Sequence, residues 1–592
     1  MPKSLNPFAP YMPSNVPEPN LSNSPRLDQL IRDGKLYLSL QDAIALALEN
    51  NLDLAIARYN LPIADTDVLR TRAGGFFRGV NAGVVQNTQG GTSAGGAGTG
   101  AGGTSSGAGG AGSGAGGLVQ STLGTGPPVS SYDPQIQSTV YLQHATQPEV
   151  NLINYGVPRL KFNTATVNGS FLQSLPTGTS FEFDFDNQRQ TINSPFQNLS
   201  PALTSYWQFT LRQQLLSGFG LGPNLRFLHI AKNNKNITDL AFKHQVIITV
   251  TQIEEIYWDL VNAFQDDQVK TSARDFAQKT LDDTRKQFDL QAVPAMDVMR
   301  AEAEVASRDQ DLTVARTTLQ LQESLIKNAV TRSLDDPILE EMPVVPTDTA
   351  QTTANQTFPP VEDLINQALK NSPTLAESNL NLENQVISRK SARNNLLPAL
   401  TLQAYYAGQG LAGQPNPTYS RGPNPVSVPT DWPGAANNAF DNSSPNYYVG
   451  LNLTLPLRNR VAKADQFRSG LEYSQNELYA QQLKKQIRIN VRNAEYTLEQ
   501  SSARVAAATK ARDLAQRTFD ITKQEQQLGA GSIYQTLTAQ RDLSVAESAL
   551  VTAETTYEKA KVELDQVTGA TLERLGISID EAKKGIVPQS KL

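Results

Sequence analysis

The sequence predicts an α+β fold in which amphipathic β-strands are continued by very long α-helices, built from two internal repeats within one chain. Three observations carry this. The first is residues 459–528, which contain no proline. From Val491 onward, small or apolar residues recur there at Ala494, Leu498, Ser501, Val505, Ala508, Ala515 and Phe519, with Arg512 the one misfit. That alternating three- and four-residue spacing is a coiled-coil seam, and a helix over the stretch is about 100 Å long. Such a rod needs neighbours of similar length to bury its stripe. The second observation is that the pattern occurs twice. Residues 225–290 carry Val246, Val250, Ile253, Tyr257, Leu260 and Phe264 in the same spacing. The third is a set of segments with strict two-residue alternation, the signature of half-buried strands.

Duplication extends beyond the long helices. Each follows a proline (Pro223, Pro456), ends in a turn, and is followed by a return helix, 295–330 and 532–567. Asp42, Ile44, Ala47, Leu48, Asn50 and Leu54 recur at constant offset as Asp363, Ile365, Ala368, Leu369, Asn371 and Leu375. Two kinds of match in one order point to an internal duplication. The first repeat is read as 39–331 and the second as 361–570. A loose N-terminal extension (1–38), a linker (332–360) and a C-terminal tail (571–592) make up the rest.

In chain order, the first twenty residues hold six prolines and no apolar core, so the chain as given is expected to lack a secretion signal. Ser39 is placed to cap a helix running to about Ala73, with Asp42 as its reciprocating partner and Pro62 as a kink. Residues 90–117 are almost wholly Gly, Ala, Ser and Thr, a flexible insertion that cannot bury enough apolar surface to order itself. Between about 136 and 215, Ile136, Val140 and Leu142 alternate with Gln137, Thr139 and Gln143. Phe181, Phe183 and Phe185 alternate with Glu182, Asp184 and Asp186, and Trp207, Phe209 and Leu211 with Gln208, Thr210 and Arg212. An extra strand pair around 162–190 would either lengthen the outer end or add staves to a barrel. In the second repeat a helix is expected over 361–395 and strands over about 399–408 and 446–456. Val449, Leu451, Leu453 and Leu455 give the clearest alternation.

Strands of this kind suit a soluble antiparallel sheet or a transmembrane barrel with one face in lipid. The helices carry narrow stripes that pack helix on helix and offer no sheet-covering face, which favours the barrel. One chain supplies too few strands to close it, so closure needs several chains. No stretch approaches the roughly 18 apolar residues of a membrane-spanning helix. The 592 residues carry a net charge of −6 and no basic run, which argues against a nucleic-acid surface. There is no cysteine, hence no disulfide or thiolate metal site, and no N-terminal lipid anchor is expected. The histidines, His144, His229 and His244, are scattered, and His229 and His244 read as helix-surface residues.

The chain resembles the TolC-like outer-membrane efflux protein family (outer membrane factors). The resemblance rests on Leu40-Gln41-Asp42-Ala43-Ile44-Ala45-Leu46-Ala47-Leu48-Glu49-Asn50-Asn51, on Leu453-Thr454-Leu455-Pro456-Leu457-Arg458-Asn459-Arg460, and on the turn segments 288–298 and 528–543. It implies a homotrimer whose barrel crosses the outer membrane and continues as a helical tunnel through the periplasm. It also implies a passive exit duct for a tripartite efflux or type I secretion system, working with a periplasmic adaptor (membrane fusion protein) and an inner-membrane pump. No catalytic residue, cofactor or metal is expected. The turns would be the docking tips, Leu290, Val293 and Pro294 in one repeat and Leu528, Gly529, Ala530, Gly531 and Ser532 in the other. A pore constriction just beyond them would use Asp297 and, in the second repeat, the neutral Gln535 and Thr538. Asp297 also suits a plain helix-N-terminal charge. The alternative from another class is a non-conducting periplasmic coiled-coil scaffold, which would leave the amphipathic strands without a purpose.

Overall fold

The computed structural model describes residues 8–13, 15–80, 83–85, 126–335, 337–349, 359–423, 427–528 and 530–585. The Gly-rich tract at 90–117 lies outside them. The chain opens with α1 (Pro25–Leu30), β1 (Ile31–Arg32) and β2 (Lys35–Leu38), followed by α2 (Leu40–Asn50) and α3 (Leu52–Arg72). Next come β3 (Gln135–Pro148), α4 (Leu152–Tyr155), β4 (Arg159–Leu175), β5 (Thr179–Ile192) and β6 (Leu199–Gln214). A single turn, α5 (Leu221–Asn224), leads into α6 (Arg226–Asp289) and its return α7 (Ala295–Val330). The middle of the chain holds α8 (Pro337–Glu341), β7 (Val344–Pro346), α9 (Val361–Asn371) and α10 (Pro373–Asn394). Then follow β8 (Ala399–Pro415), α11 (Trp432–Phe440), β9 (Pro445–Thr454), α12 (Arg460–Gln527), α13 (Ile533–Thr568), α14 (Thr571–Arg574) and α15 (Ile579–Lys584).

The rods form as their spacing dictates. Helix α12 runs 68 residues, α6 runs 64, and each return helix runs 36. In α12 the seam residues Val491, Ala494, Leu498 and Val505 are buried against Ala553, Tyr557, Ala560 and Leu564 of α13. Nearer the turn, Ala277 and Leu281 of α6 meet Ala301 and Val305 of α7. Small residues at these positions let the helix backbones approach closely. Each larger apolar side chain buried there contributes about 1.5–3 kcal/mol. The two hairpins are joined because α13 lies along α6. Lys559 bonds to Asp259, the Ser548 hydroxyl donates to Asp266 (2.6 Å), and Lys270 donates to Ser548 (2.9 Å). Arg512, the misfit of the seam, swings aside to Asp513 (3.4 Å). Phe264 is half-buried.

Several expectations are corrected. The N-terminal extension is ordered from α1 onward: β2 pairs with β1 and, in parallel, with β7, making a three-stranded sheet. The span 332–360 therefore supplies a strand as well as a linker. The helix expected over 39–73 is two helices. Its break is at Asn51, whose side-chain oxygen accepts from the amides of Asp53 and Leu54, while Pro62 sits inside α3. The helix expected over 361–395 likewise breaks at Ser372, which caps α10 through the Leu375 amide ahead of Pro373. Asp42 does pair with Ser39, though through the hydroxyl (2.6 Å). The supposed tail from 571 packs α14 and α15 inward, with Leu572 and Ala582 in the main core. That core is centred on Leu36, Leu38, Leu46, Ile253 and Tyr257. The Tyr257 hydroxyl donates to Asp348 (2.7 Å). His229 is exposed as expected, but His244 is half-buried, and burial pushes its imidazole pKa down.

A second sheet has six strands, all antiparallel, in the order β3-β4-β5-β6-β8-β9. Four strands come from the first half of the chain, and the extra pair expected around 162–190 is β4 and β5. The Pro176-Thr177-Gly178 turn joins β4 to β5, and Gly178 takes φ +82°, which disfavours any other residue. Register sorts the residues onto two faces. Phe185, Trp207 and Gly408 lie in one row, and Phe183, Phe209, Tyr406 and Tyr447 in the next. Asp184, Gln208 and Ala407 lie on the opposite face. Helix α11 rests on the apolar face at the end away from the rods. A Cβ on Gly408 or Gly410 would run into the Ala439 or Ala435 carbonyl, so only glycine admits the helix there. Trp207 Nε1 donates to Ala439 O (2.7 Å), and its ring stacks on Phe440 at 5.4 Å.

Candidate functional site at the helical tips

Both long helices end by the same physical means, a tightened last turn followed by a return helix. At the first tip the amide of Leu290 donates to Lys286 O (3.2 Å) and that of Ala292 to Gln287 O (2.8 Å). Gln291 takes the left-handed conformation, φ 59°. Pro294, extended, then sets the start of α7, and the Asp297 amide donates to the Pro294 carbonyl (3.1 Å). At the second tip the amides of Ala530 and Gly531 both donate to Glu525 O (2.9 and 3.0 Å). Ser532 and Gln535 form a reciprocal capping box that starts α13. Gly529 lies outside the described residues.

The tips expose apolar side chains that none of the described residues covers. Leu290 is 79% exposed and Leu528 83%. Met296, Met299 and Tyr534 beside them are exposed as well. Of the expected docking residues, Pro294, Ala530 and Ser532 are exposed, whereas Val293 and Gly531 are half-buried. Just behind this rim, Phe276 of α6 meets Phe519 of α12 edge-to-face at 5.3 Å, beside Ala539 and Leu543 of α13. The two hairpins are therefore packed together almost to their ends.

The expected constriction residues fall within the first two turns of the return helices, and each is engaged. Asp297 Oδ1 lies 3.6 Å from Arg300, whose guanidinium sits 5.7 Å from the centroid of the Tyr534 ring. An acid and a base of the first hairpin thus reach an aromatic ring of the second. The Gln535 side chain closes the capping box, and the Thr538 hydroxyl donates to Tyr534 O (2.9 Å). Further along α13, Asp542 pairs with Arg541 (3.6 Å). Burial pushes the Glu547 carboxyl above its usual range, and Arg512 pulls it back. Arg300, Tyr534, Met296 and Met299 were not singled out from sequence. Two methionines three residues apart beside a turn are a readable sign of an exposed apolar rim. The Arg300–Tyr534 contact joins segments far apart in sequence and left no local sign.

At the other end of the molecule, the polar face of the six-stranded sheet carries Glu182, Asp184 and Asp186 on β5. Arg212 of β6 stands 4.0 Å from Glu182. Among the described residues no helix is long and apolar enough to cross a membrane.

This arrangement has known counterparts. The Campylobacter jejuni CmeC outer membrane channel is similar over 98% of this chain and 99% of its own, with a TM-score of 0.56 and 15% identity. CusC, described with transmembrane channel formation, is similar over 94% of this chain and 99% of its own (TM-score 0.56, 13% identity). The outer membrane protein VceC from Vibrio cholerae is similar over 90% and 96% (TM-score 0.53, 13% identity). The α+β fold is thus that of outer-membrane channels. Residues 364–570 match the family model described as Outer membrane efflux protein. That stretch, most of the second repeat, is similar to outer membrane efflux proteins, and the resemblance to TolC-like channels rests on it and on the shared fold. The protein's place is accordingly the outer membrane, extending into the periplasm. No curated protein matches the chain in sequence.

Proposed function

We propose that the protein is the outer-membrane exit duct of a tripartite efflux or type I secretion system. It passively conducts a substrate delivered by an inner-membrane pump. In this reading the chain is a homotrimer with two repeats per protomer, and its strands close into a barrel through the membrane. The paired rods form the tunnel, and the tips dock on a periplasmic adaptor. The observation that carries it is one sheet, apolar on one face and polar on the other, running directly into rods about 100 Å long. Such strands suit a wall between lipid and water, and such rods span a wide aqueous gap.

Purified protein in a planar bilayer is the test. Discrete conductance steps are expected from a particle of three chains, and a silent bilayer or a monomer soluble without detergent would sink the reading. Within it, Asp297 is the acidic member of the constriction, where three symmetry copies would concentrate negative charge. Asp297→Asn should weaken cation selectivity and block by multivalent cations. Unfolding should shift by no more than the roughly 0.3–1 kcal/mol of a helix-terminal charge. Loss of stability with unchanged selectivity would assign Asp297 to capping alone.

A further inference from the structure

We infer that each chain contributes six staves to the barrel, so that a trimer closes eighteen strands by pairing β3 of one protomer with β9 of the next. This rests on the trimeric reading above and adds the identity of the two closing edges and the width of the duct.

The β3–β4 hairpin is a wall element and not an extension of the outer rim, because both its ends are level with those of the other strands. At the rod end, the Tyr132 hydroxyl, just before β3, donates to the carbonyl of Asn224 at the end of α5, just ahead of α6 (2.8 Å). Gln173 near the end of β4 donates to the Tyr132 carbonyl (2.6 Å). At the far end, the loop carrying α4 joins the β5–β6 loop. Ser194 Oγ donates to Tyr155 O (2.7 Å), and Arg421 donates to Ile153 O (3.1 Å) while lying over the Phe196 ring (4.2 Å). Between these ends β3 pairs with β4 over its whole length, Gln135 to Pro148, without a register shift.

The two edges match. β3 runs away from the rods and β9 runs toward them, so the outer edges of neighbouring protomers meet antiparallel, as every other pair in the sheet does. Their faces match as well. Register through β4, β5, β6 and β8 puts Ile136, Val140 and Leu142 of β3 on the face that holds Tyr447, Val449, Leu451 and Leu453 of β9. Gln137, Thr139 and Gln143 share the other face with Asn446 and Asn452. Nearly every residue of both strands is exposed in the single chain. Two long edges with unpaired amides and carbonyls require a partner within a membrane, and a second copy of this chain supplies one of the right direction and polarity.

The width follows from geometry. Eighteen strands spaced about 4.8 Å apart and tilted about 40° close at a backbone diameter of about 36 Å, against about 24 Å for twelve. A wall of this size leaves an open aqueous lumen, so the membrane section does not select solutes by size and the helical end must.

The chain's lack of cysteine makes the closing edge directly testable. Thr139→Cys is combined in turn with Asn446→Cys, Tyr448→Cys, Gly450→Cys and Asn452→Cys, then oxidised in native membranes. One register is expected to give a ladder ending at three chains. The same four partners are combined with Gln188→Cys on β5, the edge that would close a twelve-stranded barrel without the β3–β4 hairpin. Crosslinking through Gln188 and not Thr139 would overturn the inference while leaving the trimer intact. A three-chain particle in which neither edge crosslinks would also overturn it. A particle of one chain would remove the trimeric reading itself.

Discussion

Replacing Leu290 and Leu528 together with glutamate should abolish export while leaving the protein folded, assembled and in the membrane. Both side chains stand almost free at the tips and take no part in either seam. Their loss therefore removes no packing, and unfolding should move by no more than about 0.5 kcal/mol, as at other exposed positions. If the tips seat on an adaptor, these leucines are the kind of apolar anchors whose burial carries an interface, and two charges there would be desolvated on docking. The readout is drug or substrate accumulation in intact cells, set beside conductance of the purified variant. Lost export with unchanged conductance is expected. Unchanged export would remove the tips from docking, and lost conductance would make them part of the channel wall.

A second large effect lies where the C-terminal residues meet α6. Glu254 has a fully buried side chain, and one nitrogen of Arg574 reaches both its oxygens at 2.6 and 2.9 Å. The same guanidinium holds Asp565 at 2.5 Å. Arg574→Ala should cost about 3–5 kcal/mol near neutral pH, because it strands a buried carboxylate rather than merely deleting a pair. The pH dependence has a definite sign. Burial pushes Glu254 above its usual range and Arg574 pulls it back, so removing Arg574 raises it further. A carboxyl whose folded pKa exceeds its unfolded pKa favours folding in its protonated form. The deficit of the variant should therefore grow as pH rises through the folded pKa and shrink as pH falls below it. Thermal unfolding at pH 5 and pH 8 checks both statements. A loss under about 1 kcal/mol, flat with pH, would mean that water reaches Glu254 as at a surface pair.

What was legible in the sequence follows the reach of each interaction. The rods could be read because a seam repeats the same local rule many times, from Val491 to Phe519, and a single misfit such as Arg512 does not erase it. The turns could be read because proline or glycine punctuates them. The break at Asn51 was hidden by the apolar residues on both sides of it. The one at Ser372 carried a Ser-Pro capping signal that was there to be seen. The pair β4–β5 could be placed near 162–190 but not assigned to wall or rim, because Asn163, Thr164, Thr166 and Asn168 put polar atoms on both faces of β4 and blur the alternation. Helix α11 lay in a stretch rich in Pro, Gly and Asn. Only Asp431 ahead of Trp432-Pro433 marks its start, where the carboxylate accepts from the Gly434 amide (3.1 Å). At the tips, the exposed leucines belonged to motifs, whereas the Arg300–Tyr534 contact needed the two hairpins laid side by side.

Helix α11 has a further consequence for how the protein sits in its membrane. Seated on Gly408 and Gly410, it occupies the outer part of the same face that, in the proposed barrel, would offer Val449, Leu451 and Leu453 to lipid, and its carbonyls and asparagines are poor company for acyl chains. In that reading the bilayer would end beneath it. The apolar band left uncovered lies between α11 and the point where the strands turn into rods, and that band fixes the depth at which the channel floats. Because the rods are rigid and begin where the band ends, α11 acts as the upper stop of a ruler whose lower mark is the tips. In the proposed assembly it would set how far into the periplasm the adaptor finds them.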